Sequence, residues 1–111
     1  MNPTIVYAFY PDQGQPQAFG TSKLFTSKPS KLGYVTAFNK SASTVYIELY
    51  DATSATGTPR TLPCPANTFV GWAGLKMNTG IFVQAVNAAV SGALIAGNDV
   101  KFDCGFTDEI V

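Results

Sequence analysis

The clearest pattern along the chain is a two-residue alternation. In residues 44–50, Val45, Ile47 and Leu49 fall on one side of an extended strand, and Tyr46, Glu48 and Tyr50 on the other. The aliphatic side is expected to face a core and the other side to be solvated. The same period returns toward the C-terminus, where Val100, Phe102, Cys104 and Phe106 alternate with Lys101 and Asp103. Thr4 to Tyr10, residues 34–38 and residues 80–87 are β-branched and aromatic runs of strand type. Residues 60–65 contain Pro63 and Pro65, which lack an N–H for a ladder and so suit only an edge strand. Residues 68–72 read as a short strand or turn leading into Gly74. Turn chemistry punctuates these runs at 39–43, 51–59 and Gly97-Asn98-Asp99.

Helix has only two short, interrupted candidates, residues 75–78 and 88–96. Short strands between turn signals, with no helical pattern among them, predict an all-β fold: a single antiparallel β-sandwich of about six to eight strands. One domain spans residues 1–111. Val45, Ile47, Leu49, Ile81 or Phe82, Phe102 and Phe106 are its expected core.

Residues 11–32 break the pattern. They are rich in Pro, Gln, Gly, Ser, Thr and Lys and show neither the helical nor the strand period. A structureless stretch of this length is unusual inside a small domain and is often functional. It holds Phe19, Leu24 and Phe25 together with Lys23, Lys28 and Lys31. The reading is a long irregular N-terminal arm that docks on a neighbouring subunit through its aromatic residues, with the lysines at the rim. A plain surface loop is the simpler alternative. Trp72, the single tryptophan, joins these as a candidate interface anchor or sugar-stacking platform, with core burial as its default.

Charge sharpens the picture. Charged residues make up 13% of the chain, about half the usual share. Seven basic and seven acidic side chains cancel, and sparse charge near neutrality favours association, here as a homo-oligomer or in a larger assembly. Lys23, Lys28, Lys31 and Lys40 gather in the first half with Asp12, while the second half is acidic. That asymmetry suits head-to-tail contact better than nucleic-acid binding, for which one arginine and scattered lysines are a weak footprint. No apolar stretch approaches the roughly 20 residues that span a bilayer. Met1-Asn2-Pro3-Thr4 opens no secretory signal, so the chain is expected to stay in a cytoplasm until assembly.

Catalytic chemistry has little to work with. The chain has no histidine, which removes the commonest general base and metal ligand. Glu48 and Asp51 are the best carboxylate pair on offer, but a solvated strand face explains them more simply. Cys64 and Cys104 lie outside any CxxC motif and are read as buried free thiols, a disulfide requiring neighbouring strands. No enzyme activity, cofactor or metal is expected.

Residues 33–106 resemble small β-sandwich structural proteins of tailed bacteriophage virions. The likeness runs through Tyr34-Val35-Thr36-Ala37-Phe38-Asn39, Val45-Tyr46-Ile47-Glu48-Leu49-Tyr50-Asp51-Ala52-Thr53 and Gly57-Thr58-Pro59-Arg60. It continues in Pro65-Ala66-Asn67-Thr68 and Met77-Asn78-Thr79-Gly80-Ile81-Phe82-Val83-Gln84-Ala85. The resemblance implies a virion location and a non-enzymatic role. That role is a capsid decoration or cement protein stabilising the phage head, with the major capsid protein or other virion proteins as partners. A tail, neck or fibre component, or a carbohydrate- or receptor-binding sandwich using Trp72, Tyr46 and Tyr50, are the alternatives.

Overall fold

The computed structural model describes residues 4–10, 22–90, 92–95 and 99–110, with the backbone alone described for 4–10 and 108–110. Eight strands follow one another: β1 (Thr4–Tyr10), β2 (Ser22–Thr26), β3 (Ser30–Asn39), β4 (Val45–Tyr50), β5 (Arg60–Cys64), β6 (Thr68–Met77), β7 (Ile81–Val86) and β8 (Val100–Ile110). There is no helix among the described residues. Two four-stranded antiparallel sheets result, β1-β8-β3-β6 (sheet A) and β2-β7-β4-β5 (sheet B). This strand order is that of the eight-stranded jelly roll. The β-sandwich is therefore present, at the upper end of the expected strand count.

The core lies between the sheets and follows the alternation. Val45, Ile47 and Leu49 of β4 and Ile81, Val83 and Ala85 of β7 line sheet B's inner face. Val35 and Ala37 of β3 and Val100, Phe102, Cys104 and Phe106 of β8 line that of sheet A. Of the pair Ile81 and Phe82, Ile81 is the core residue, and Phe82 is half-buried on the outer side. Cys64 and Cys104 are buried, unpaired thiols.

Three expectations need correction. The first is the arm. Residues 22–26 form β2, hydrogen-bonded to β7, and residues 30–32 begin β3. Phe25 is 6% exposed and Leu32 is fully buried, both in the chain's own core. The strand period is hidden because the β2 register shifts between Leu24 and Thr26, so that Phe25 and Thr26 are both buried. A second shift between Leu32 and Tyr34, at Gly33, breaks the alternation again. Residues 11–21 of the expected arm, Phe19 among them, lie outside the described residues.

The second correction concerns β6, which runs to Met77, past the expected end at Trp72 and through one of the two helix candidates. Its glycines conceal it. A Cβ at Gly71 would run into the carbonyl oxygen of Val35, and Gly74 has φ of +73°, in the left-handed region. The third concerns the other helix candidate, residues 88–96. There the chain turns back instead, with an isolated bridge between Val86 and Leu94 and a hydrogen bond from Ile95 N–H to the Ala85 carbonyl.

Candidate functional site

Of the residues singled out as a docking set, the described ones do not converge on one surface. Phe25 is in the core and is unable to dock elsewhere without unpacking it. Trp72 is half-buried against the same core, opposite the inward-facing Val35. Leu24 is exposed on the outer side of sheet B, beside Phe82, and Lys23 is half-buried next to it in β2. Lys28 is exposed in the turn after β2, and Lys31 is exposed on sheet A, across from Lys76. Two other surfaces stand out in their place, one on the outer face of each sheet.

On sheet A, the alternation that turns Val35 and Ala37 inward turns Tyr34, Thr36 and Phe38 outward. Phe38 lies opposite Phe69 of β6, Thr36 opposite Gly71 and Tyr34 opposite Ala73. Tyr34 and Phe38 are each 37% exposed and Phe69 is 69% exposed. On the β8 side this face carries Lys101 and Asp103, opposite Phe38 and Thr36. Burial raises the pKa of Asp103 while Lys101 pulls it back, and burial with the nearby Asp103 and Cys104 raises that of the Tyr34 phenol. The sequence signal for this face was the aromatic side of residues 34–38, hidden because both sides of that strand are apolar.

On sheet B, a polar row crosses the outer face: Ser22, Gln84, Glu48 and Thr61 are cross-strand neighbours. The expectation of a solvated face here is corrected, since Glu48 is 8% and Tyr50 7% exposed. Loop residues Thr58, Pro59, Ala89, Val90 and Gly92 wall a cavity of about 460 Å³ over Glu48, Tyr50 and Gln84. Glu48 Oε1 accepts hydrogen bonds from the Tyr50 hydroxyl at 3.0 Å and from Gln84 Nε2 at 2.6 Å. Gln84 Nε2 also reaches the Tyr50 hydroxyl oxygen at 3.5 Å. Tyr50 meets Phe82 edge-to-face at 6.1 Å. Burial, then the bond to Glu48, raises the Tyr50 pKa, so the phenol stays protonated and donating at neutral pH.

Asp51 is not among the residues that line the cavity over Glu48. Asp51 caps the β6–β7 turn, accepting from the backbone N–H of Asn78 at 2.9 Å, Thr79 at 2.8 Å and Gly80 at 3.3 Å. Burial would raise its pKa, but these three bonds outweigh that and lower it. Among the described residues, no group of three or more His, Cys, Asp or Glu is placed to hold a metal ion.

Comparison with protein-family models, with curated proteins and with solved structures gives no match.

Proposed function

We propose that the chain is a non-enzymatic structural protein of a tailed-phage virion, a decoration or cement protein that stabilises the head by docking on the major capsid protein. The observation that carries this reading is the group of exposed aromatic rings on the outer face of sheet A, Tyr34, Phe38 and Phe69, with Lys101 and Asp103 on one side and Lys31 and Lys76 at one end. Aromatic anchors with charges at their rim are the composition of interfaces rather than of solvated sheets. Burying one such side chain contributes roughly 1.5–3 kcal/mol, so a few rings per subunit, repeated over a shell, shift the closed shell's stability by mass action. The low total charge and the resemblance of residues 33–106 point the same way. The jelly-roll strand order recurs in viral capsid domains, and this is support by analogy.

With Phe25 assigned to the core, attachment belongs to the sheet face rather than to residues 22–32. The test is addition of purified protein to expanded capsids that lack it. Saturable binding that raises capsid resistance to heat is expected. Absence of binding to capsids, with retention on tails, would move the protein to the tail.

A further inference from the structure

We propose that the cavity on the outer face of sheet B receives a lysine ammonium or arginine guanidinium group presented by a partner protein. Glu48 is buried but for 8% of its surface. Its Oε1 takes the Tyr50 O–H and one Gln84 N–H, which also passes within reach of the Tyr50 oxygen, Nε2 lying 3.5 Å from it. The Tyr50 donor and one Gln84 donor are therefore used inside the cluster. Glu48 Oε2 has no hydrogen-bond partner among the described residues, and Gln84 Oε1 likewise accepts nothing there. What the cluster offers outward is a carboxylate oxygen and an amide oxygen, both acceptors, beside the second Gln84 N–H.

Among the described residues the lining includes one acid and no base. A ligand complementary to it carries a positive charge and several donors, which describes an ammonium or a guanidinium group. A phosphate or carboxylate ligand would meet Glu48 with like charge. A neutral sugar needs donors as well as acceptors, and among the described lining side chains the Thr58 and Thr61 hydroxyls and one Gln84 N–H remain to supply them, with no charge for Glu48 to pair. Pro59 and Val90, at the wall, give an apolar bed for the methylene stem of a long cationic side chain. This site is separate from the sheet A face, so the two stand or fall independently.

The test is titration followed by backbone amide shifts of Glu48, Thr61 and Gln84. The probes are Nα-acetyl-lysine methylamide, Nα-acetyl-arginine methylamide, the norleucine analogue and methyl α-D-glucopyranoside. Saturable shifts with the lysine or arginine probe, absent with norleucine, and at least tenfold weaker binding in Glu48→Gln are expected. Equal binding of norleucine, preferential binding of the glucoside, or unchanged affinity in a folded Glu48→Gln protein would overturn the proposal. Should Glu48→Gln fail to fold, Val90→Lys decides. Val90 is 82% exposed, and an ammonium placed there should weaken the probe at least threefold, unchanged affinity counting against the site. Spermidine binding tenfold more tightly than the lysine probe would overturn the assignment to a protein side chain in favour of a free polyamine.

Discussion

Asn39 ends β3 fully buried and uses its whole amide. Nδ2 donates to the Ser43 carbonyl at 2.7 Å and to the Cys64 carbonyl at 2.9 Å. Oδ1 accepts from Ser41 N–H at 2.9 Å and from its hydroxyl at 2.7 Å. One side chain thus closes the β3–β4 turn and ties it to β5 in the other sheet. Asn39→Ala leaves several of these groups unpaired and should cost about 2–4 kcal/mol in urea unfolding. Nothing in the local sequence separated this residue from an ordinary turn asparagine, because its partner Cys64 is distant in the chain. Asp51 invites a pH test. Its pKa is lowered by folding, so its contribution is present above the ordinary carboxylate pKa of about 3.9 and is lost as pH falls through the lower folded value. Asp51→Ala should cost about 1 kcal/mol at pH 7, a figure kept small by solvent exposure. The gap from the native protein should narrow as the pH of the melts falls below the ordinary carboxylate range.

At the scale of elements, legibility depended on unbroken alternation. β4 and β8 were readable because Val45, Ile47 and Leu49, and Val100, Phe102, Cys104 and Phe106, keep the period without a bulge. β2 is only five residues long and shifts register within itself, and β6 is interrupted by Gly71 and Gly74, so neither shows a pattern that a period can find. The reassignment of Phe25 from arm to core has a direct consequence. Phe25→Ala should destabilise the fold by about 3 kcal/mol in urea titration, whereas a docking arm residue would leave stability unchanged. Gly71→Ala should also destabilise, since the added methyl displaces β6 from the Val35 carbonyl.

At the scale of the whole molecule, eight strands cross between two sheets so that consecutive strands are seldom hydrogen-bonded neighbours. Local sequence carries no mark of that order, which is set by which apolar faces can close on one another. The candidate surfaces share this property. Phe38 and Phe69 become one patch only through the β3–β6 register, and Glu48 and Gln84 one cluster only through β4–β7. The alternation identified their strands, and pairing across the sheets made surfaces of them. The central claim, that the outer face of sheet A attaches this protein to a phage head, is tested most directly by comparing native protein with Phe38→Ala/Phe69→Ala on expanded capsids lacking it. The account predicts saturable binding of the native protein and at least tenfold weaker binding of the double variant, which stays folded with a lowered unfolding midpoint because Phe38 is 37% exposed and Phe69 69%. Equal capsid affinity of the two proteins would contradict it.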